Sequence, residues 1–262
     1  MGPDISTGWI ALPRGVAADA PFFAVSDAHG EAALLRRAVA FAAYTPGRAL
    51  YFLGDLINRG PDSFGCAEAA LGARRNPAFS RVTTLAGNHE AMLSVYLASS
   101  PRDPGLQSRN VARPAMIRMG GALLVQACEE APEILLPALR SYVGGLELFA
   151  QNGGIALCHA MPDPYQALTK QTDEDLLWNF SNQKNQAGWD RLIGWPCVLV
   201  HGHTQGGPAL NGRTGAAVGR DVDRSLRLFS RICCDSGAPG SGVLSLLEVD
   251  GGRARLHGFW ST

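Results

Sequence analysis

The first hundred residues repeat one pattern three times: a short apolar run, a polar turn and a stretch with helical spacing. The apolar runs are FFAVS (22–26), ALYFLG (49–54) and RVTTLAG (81–87). This alternation is typical of βαβ units, whose consecutive strands lie parallel in one sheet. It predicts an α/β fold, and the length of 262 residues favours a single domain over 1–262.

Residues 101–150 break this alternation. Two helical stretches are predicted there, around 114–128 and 132–149, with no β pattern between them. We interpret the segment as a helical cap or insertion that overhangs the functional site. Strand patterns resume at 154–160, 197–203, 230–237, 242–250 and 253–260. The last three are close enough in the chain to form antiparallel hairpins.

Charge and composition exclude several classes of protein. Lys plus Arg and Asp plus Glu both number 23, so no net field attracts nucleic acid or an anionic membrane, and neither is an expected partner. No apolar run approaches the roughly 20 residues that a membrane span needs. The six cysteines form no C-x-x-C pair, and four lie in apolar runs, which indicates reduced thiols. We therefore expect a cytoplasmic protein. The oligomeric state stays open.

Five of the six histidines lie at or just beyond the end of an apolar run. They are His29, His89, His159, His201 and His203, and polar residues at similar places are Asp27, Asp55 and Asn88. Because the carboxyl ends of strands in α/β sheets form ligand sites, we expect these side chains to converge. Carboxylate, amide and imidazole ligands suit first-row transition metals better than calcium, and they do not make a thiolate zinc site.

Each motif alone has a simpler interpretation. The Asp and His of SDAHG (26–30) can serve as a helix cap and a buried core histidine. Asn and Gly of GNHE (87–90) are ordinary turn residues, and Glu90 can support a helix start. Five such motifs, each closing a predicted strand, are improbable as a structural coincidence.

Together the motifs resemble the metallophosphoesterases, and among them the bacterial serine/threonine protein phosphatases related to lambda phosphatase. The resemblance runs along the chain through SDAHG, GDLINRGPDS, GNHEAM, RMGGALL, CHAMPDP, DLLWNF, VHGHT and DSGAPGSGVLSLLEVDG. It implies a four-layer α-β-β-α sandwich, in which two mixed sheets pack face to face and helices lie outside.

The resemblance also implies two divalent metal ions. One would be held by Asp27, His29 and Asp55, and the other by Asp55, Asn88, His159 and His203, so that Asp55 bridges them. Mn²⁺ is expected, and Fe, Zn or Ni are compatible with these ligands. The implied reaction is hydrolysis of a phosphomonoester, in a phosphoprotein or a small aryl phosphate, by a metal-bridging hydroxide.

Further residues carry implied roles in this reaction. His89 would protonate the leaving group, and imidazole titrates in the range that suits this role. Arg59 offers planar, bidentate recognition of phosphoryl oxygens. Asn88 and Phe180 are the other expected substrate contacts.

Two positions depart from the phosphatase pattern. Asn58 stands where an aspartate usually orients the acid histidine, and an amide cannot stabilise imidazolium as a carboxylate does. Asn58 can also be a simple turn residue. Phe180 stands where a second phosphate-binding arginine is common, so either another cation (Arg118, Lys170 or Arg191) substitutes or Phe180 and Trp178 contact an aromatic leaving group. Both aromatics can equally be core residues.

These departures leave alternatives open. A neutral residue at position 58 also resembles diadenosine tetraphosphate hydrolases, which expel a better leaving group. A non-catalytic module that binds phosphorylated partners is a third interpretation, although a decayed enzyme need not keep every ligand and the acid histidine. His201 has no counterpart in the pattern and is interpreted as structural.

Overall fold

The computed structural model describes residues 2–13, 15–99, 107–179, 190–194, 197–204 and 231–261. The strands are β1 (Ile5–Ser6), β2 (Ile10–Ala11), β3 (Phe22–Val25), β4 (Ala49–Phe52), β5 (Arg81–Leu85), β6 (Leu146–Glu147), β7 (Phe149–Asn152), β8 (Ile155–Cys158), β9 (Val198–His201), β10 (Arg231–Cys233), β11 (Val243–Asp250) and β12 (Arg253–Trp260). The helices are α1 (Ala32–Ala43), α2 (Ser63–Arg74), α3 (Asn88–Ala98), α4 (Gln107–Arg118), α5 (Ala122–Glu130), α6 (Pro132–Val143), α7 (Asp173–Leu177), α8 (Asp190–Ile193) and α9 (Ala238–Ser241).

The strands form two mixed sheets. The larger has the order β1-β12-β11-β3-β4-β5-β6, with β2 also paired to β12. Its strands β3, β4 and β5 are parallel, as the βαβ pattern predicts, the short β6 is a further parallel neighbour of β5, and β11 and β12 add antiparallel neighbours. The smaller sheet has the order β10-β9-β8-β7 and is parallel except for β7.

One predicted pairing is wrong. The last three strands do not form successive hairpins, because β10 lies parallel to β9 in the smaller sheet while β11 and β12 pair in the larger one. The cause is the connection between β10 and β11, where α9 carries the chain from one sheet to the other.

Alternation of side chains along β3 explains the four layers. Phe22 and Ala24 pack among the side chains of the smaller sheet, including Ile155 and Val200. Phe23 and Val25 point to the other face and pack against helices. A strand buried on both faces needs a continuous apolar run, which is what the sequence provides at 22–25. The predicted α-β-β-α sandwich is confirmed.

Helices form the outer layers. The larger sheet is covered by side chains of α1 to α6, among them Leu35, Ala70 and Leu139. The smaller sheet is covered by a 3₁₀ helix at Leu168–Lys170 together with α7 and α8, through Leu176 and Leu192. Of the helices in the described part of the chain, none has the length and apolar character needed to cross a lipid bilayer. All six cysteines are free thiols.

The segment 101–150 differs from its predicted form. The described part holds three helices instead of two, because Gly120 and Gly121 separate α4 from α5. The stretch predicted at 132–149 ends at Val143, where Gly144 and Gly145 stop the helix, and β6 and the start of β7 follow. Helices α4 to α6 pack against α2 and α3. An overhang above the functional site remains a prediction.

Candidate metal centre

Five strands deliver polar side chains to one region of the molecule. Asp27 and His29 follow β3, and Asp55, Asn58 and Arg59 follow β4. Asn88 and His89 open α3 directly after β5, His159 follows β8, and His203 follows β9. Because β3, β4 and β5 are parallel, and so are β8 and β9, their carboxyl ends lie on common edges.

The backbone of these turns is unusual. In the described chain, positive φ angles at non-glycine residues occur only at Asp27, His29, Asp55, Asn58, Arg59 and His203. All six were named from the sequence as site residues. Such conformations cost free energy and persist only where surrounding contacts hold them, and they cluster at functional sites.

The carboxylate of Asp55 lies at the centre of the group and is only 2% exposed. Its Oδ2 atom is 3.4 Å from Nε2 of His159, 3.7 Å from Nε2 of His29 and 3.8 Å from Nε2 of His89. Its Oδ1 atom accepts the backbone N–H of His89 at 3.0 Å. One carboxylate oxygen thus faces three imidazoles, an arrangement that suits a carboxylate shared by two cations.

Hydrogen bonds to carbonyl groups fix the tautomers of two of these rings. A carbonyl oxygen only accepts, so Nδ1 of His159 donates to Leu53 O at 2.8 Å, and Nδ1 of His29 donates to Ile57 O at 3.1 Å. In the neutral rings Nε2 therefore keeps its lone pair and directs it at Asp55. A histidine that binds a metal ion is held in this way.

Asn88 brings another oxygen to the group. Its Oδ1 atom lies 3.1 Å from Nε2 of His159 and 3.1 Å from Nδ1 of His203. Nε2 of His203 faces the Trp178 carbonyl at 3.3 Å and donates to it, which leaves Nδ1 with its lone pair. Three lone-pair atoms thus converge, and a divalent cation between them would satisfy all three. The residues present fit a metal ion.

Asp27 lies at the edge of the group. Its Oδ1 atom is 3.7 Å from Nε2 of His29, while Oδ2 accepts the Ser26 hydroxyl and also the backbone N–H of His203, the latter at 3.0 Å. Burial and the nearby Asp235 carboxylate raise the pKa of Asp27 well above its usual value. A cation beside Oδ1 would counter both effects by favouring the carboxylate form.

Burial and charge shift the pKa values of the histidines in opposite directions. Burial lowers the pKa of His29 and of His89 to about 4, against the attraction of Asp55. Burial also disfavours a charge on His159, but Asp55 outweighs it and raises the pKa of His159 to about 10. Burial alone would raise the pKa of Asp55, yet the neighbouring imidazoles of His159 and His89 hold it below its usual value. A metal ion held by Asp55 and His159 would take the place of the proton that this pair attracts.

Arg59 stands at the exposed side of the group. Its Nη1 atom is 3.0 Å from Nε2 of His29, and Nη2 is 3.3 Å from Nε2 of His89. Its backbone N–H donates to Gly120 O at 2.8 Å, so the turn between α4 and α5 supports it. A guanidinium in this place offers paired donors to an oxyanion that approaches from solvent.

Asn58 lies against His89 and is fully buried. Its Nδ2 atom is 2.8 Å from Nδ1 of His89, while its buried Oδ1 has no partner among the described residues. The opposite amide orientation places the oxygen at Nδ1 of His89, where it can accept a hydrogen bond from the ring N–H. The amide then holds the ring with Nε2 facing Asp55.

A match between the sequence and a family model shows the family of this chain. The sequence model of the calcineurin-like phosphoesterases matches residues 20–223, a range that includes every candidate ligand. The chain belongs to this family. No curated protein sequence matches it.

Solved structures share the fold of this calcineurin-like phosphoesterase. A candidate diadenosine tetraphosphatase gives a TM-score of 0.58 at 19% identity, with 100% of both chains covered. A mutant cold-active protein tyrosine phosphatase gives 0.58 at 14% identity, covering 90% of this chain and 77% of that one. A protein serine/threonine phosphatase from Saccharomyces cerevisiae gives 0.53 at 13% identity, covering 94% and 81%. Identities this low establish the fold and leave the substrate open.

The phosphoesterase chain brings together almost all the residues named from the sequence. Asp27, His29, Asp55, Asn58, Arg59, Asn88, His89, His159 and His203 lie in one group. Two sets of three residues each have ligand atoms that lie within 4.8 Å of one another. One set is His29, Asp55 and His89, and the other is Asp55, His159 and His203. The first set contains His89 and not Asp27, although Oδ1 of Asp27 lies 3.7 Å from Nε2 of His29.

Other named residues have different outcomes. His201 is buried outside both sets, and its Nδ1 donates to Gly202 O at 2.9 Å. Arg118 and Lys170 are exposed. Trp178 contributes its carbonyl to His203. Phe180 lies outside the described residues, as does the side chain of Arg191.

Sequence reasoning missed Asp235 and one of the two roles of Glu90. Asp235 is buried close enough to raise the pKa of Asp27, and its Oδ1 accepts the N–H of Gly237 at 2.8 Å. It follows β10, so the strand-end criterion that found the other carboxylates could have found it. Glu90 supports the start of α3 as predicted, by accepting the N–H of Gly87, and it also accepts the N–H of Asp55, which no sequence pattern indicates.

Proposed function

We propose that this protein is a dimetal-dependent phosphatase that hydrolyses phosphomonoesters in phosphoproteins or small aryl phosphates. The observation that carries the proposal is the convergence of three imidazole nitrogens on one oxygen of Asp55, with Arg59 at the exposed side. Buried nitrogen and oxygen ligands with an adjacent guanidinium combine cation binding with oxyanion binding, as phosphoryl transfer requires.

We propose two metal positions at this site. Asp27, His29 and Asp55 would hold one ion, and Asp55, Asn88, His159 and His203 would hold the other. When bound, the two ions would supply positive charge for the phosphoryl oxygens and activate water at neutral pH. Mn²⁺ is the proposed metal, and Fe, Zn or Ni suit the same donor set.

Arg59 would bind and orient the phosphoryl group. Arg59 is an exposed residue whose backbone is held by Gly120, and its guanidinium lies against the His29 and His89 rings, so a phosphoryl group that binds these donors would lie next to the metal centre. Two parallel N–H donors match two phosphoryl oxygens, and this fixes the orientation as well as the position of the ester. The Asn88 amide is the second proposed contact to these oxygens.

In its protonated form His89 would deliver a proton from Nε2 to the leaving oxygen, and because burial lowers its pKa to about 4 this form is a minority at neutral pH. It follows the ligand Asn88 in sequence, and its Nε2 lies 3.8 Å from Asp55 Oδ2. A ring at this distance from the bridging carboxylate lies beside the position where the ester bond breaks. Asn58 would orient the ring through its contact with Nδ1.

A second candidate reaction is the hydrolysis of a dinucleoside polyphosphate such as diadenosine tetraphosphate. The observation that favours it is the neutral Asn58 against His89. Without a carboxylate at Nδ1, a protonated His89 is less stabilised than it would be beside an aspartate, and a phosphoanhydride needs less help from an acid than an alkyl phosphate. The likeness to the candidate diadenosine tetraphosphatase agrees with this choice.

A substrate panel distinguishes the candidates. The wild type and Asn58→Asp would be assayed with Mn²⁺ on an aryl phosphate, phosphotyrosine and phosphoserine peptides, and diadenosine tetraphosphate. The phosphatase proposal predicts higher kcat/KM on the monoesters, and Asn58→Asp should raise the ratio of phosphoserine to aryl phosphate turnover about tenfold. Preference for diadenosine tetraphosphate would replace the first proposal with the second. Tight phosphate binding without turnover of any substrate would support the non-catalytic module.

A further inference from the structure

The carboxylate of Glu90 is fully buried and accepts four hydrogen bonds. Its Oε2 atom accepts the backbone N–H of Asp55 at 2.7 Å and that of Gly87 at 3.0 Å. Its Oε1 atom accepts the N–H of Leu56 at 3.0 Å and the hydroxyl of Tyr142 at 3.1 Å. Three of the donors belong to the two turns that carry Asp55 and Asn88.

The turn at Asp55 needs such an anchor. Asp55 has a φ of 53°, in the left-handed region that residues other than glycine rarely adopt. The hydrogen bonds from the N–H groups of Asp55 and Leu56 to one carboxylate hold this conformation. The direction of the Asp55 side chain, and with it the common point of the three imidazoles, therefore depends on where the Glu90 carboxylate lies.

Tyr142 is the only one of the four donors that comes from outside these turns. It lies near the end of α6, 52 residues from Glu90 in sequence, and is fully buried. Burial raises its pKa well above the usual value for tyrosine, so its hydroxyl stays protonated and donates. Its bond to Oε1 resists rotation of the carboxylate about its own axis.

We propose that Tyr142 is a positioning residue for the metal centre, which acts through Glu90 to hold the bridging Asp55. The helical segment α4 to α6 then has a role in this site, because its last helix supplies one fixed point of the Asp55 turn. The inference rests on the proposed function only for the statement that Asp55 binds metal. The backbone restraint on Asp55 stands independently of it.

The test compares two variants that each remove one buried tyrosine hydroxyl. Tyr142→Phe removes the donor to Glu90. Tyr51→Phe is the matched control, since Tyr51 is buried on β4, the strand that leads to Asp55, and its hydroxyl faces Asn152 at 3.5 Å. Amide hydrogen exchange at Asp55 and Leu56, Mn²⁺ affinity by calorimetry and thermal unfolding would be measured for both.

We expect Tyr142→Phe to speed exchange at Asp55 and Leu56 and to weaken Mn²⁺ binding, each by about tenfold, the size expected for loss of a hydrogen bond to a charged group. Tyr51→Phe should change neither. Glu90→Gln should speed the same exchange, and adding Tyr142→Phe to it should have little further effect, because both changes act on one carboxylate.

Two results would overturn the inference. The first is that hydrogen exchange at Asp55 is unchanged in Tyr142→Phe. The second is that exchange increases equally in Tyr142→Phe and Tyr51→Phe, with a matching fall in Tm. The second would show that the hydroxyl contributes only to general packing. A wild type that binds no Mn²⁺, with exchange still dependent on Tyr142, would remove the proposed function and leave the backbone restraint intact.

Discussion

Most of the candidate ligands have a second contact that fixes their orientation. His159 and His29 donate to backbone carbonyls, and Asp55 accepts the backbone N–H of His89. These contacts offset part of the cost of the positive φ angles at His29 and Asp55. A ligand set fixed before the metal arrives loses less entropy on binding it, so the buried hydrogen bonds should contribute directly to metal affinity.

The separate role of His89 is testable by one substitution. His89→Asn should lower kcat on an alkyl phosphate by about 10² or more, and less on an aryl phosphate, whose leaving oxygen needs no proton. Metal content by elemental analysis should stay near wild type, since His89 is not one of the proposed ligands. The same loss on both substrates would show that His89 acts on the metal centre and not on the leaving group.

The sequence predicted the side chains of this site but not what holds them. Histidine and aspartate at the ends of apolar runs were visible, because strand ends can be read from hydropathy. Glu90 acts through backbone contacts to residues 35 and 34 positions away, and those contacts exist only once β4 and β5 are paired. The strained φ angles likewise depend on tertiary contacts.

At the scale of the turns, two glycines allow the strand ends to approach one another. A side chain at Gly202 would overlap the Ser26 hydroxyl and an Asp27 carboxylate oxygen. A side chain at Gly87 would overlap Asp55 Oδ1. The turns after β3, β4, β5 and β9 therefore pack directly on each other, and any added Cβ displaces a candidate ligand.

This packing predicts opposite effects for two glycine substitutions. Gly202→Ala should lower the free energy of unfolding by about 1 to 3 kcal/mol, because overpacking at this point has no room to relax. Gly72→Ala in α2 is the control: nothing lies within 4 Å of the added methyl group, so the helix should gain about 0.5 to 1 kcal/mol. Urea unfolding in a chelator would measure both. A neutral Gly202→Ala would contradict the close approach of the turns.

Elements were predicted well where one pattern continued without interruption. The strands at 22–25, 49–52 and 81–85 are buried apolar runs bounded by turn residues, and their pairing follows from the βαβ rule. The segment 101–150 was harder, because glycine pairs separate α4 from α5 and α6 from β6, and because β6 has only two residues. The pairing of β10 was missed because sequence proximity favours a hairpin and gives no signal for a change of sheet.

At the scale of the whole molecule, Glu248 ties together the larger sheet. It lies on β11 and is 2% exposed. Its carboxylate forms a hydrogen bond with His257 on β12 at 2.8 Å and an ion pair with Arg255, which also lies on β12. It forms a second ion pair with Arg48, just before β4, at 3.2 Å. Burial alone would raise the pKa of Glu248, but the bonds from His257 and Arg255 lower it to about 2.

This network predicts part of the acid sensitivity of the fold. A carboxyl whose folded pKa is depressed contributes stability above its unfolded pKa near 4.5 and loses it as pH falls towards 2. Glu248→Gln should therefore destabilise the protein by roughly 2 to 3 kcal/mol at pH 7, with the difference from wild type shrinking below pH 4.5. Glu147→Gln, at an exposed ion pair with Arg81, should change stability by under about 0.5 kcal/mol. A Glu248→Gln difference that is constant from pH 7 to 3 would refute this account.

The central claim is that Asp55 bridges two metal ions on which hydrolysis depends. The most direct measurement is elemental analysis and aryl phosphate hydrolysis on the same samples, after exhaustive chelation and during Mn²⁺ titration, for wild type and Asp55→Asn. The account predicts no hydrolysis without metal, recovery as about two ions bind per chain, and loss of both binding and hydrolysis in Asp55→Asn. Full hydrolysis by wild-type protein that elemental analysis shows to contain no metal would contradict it.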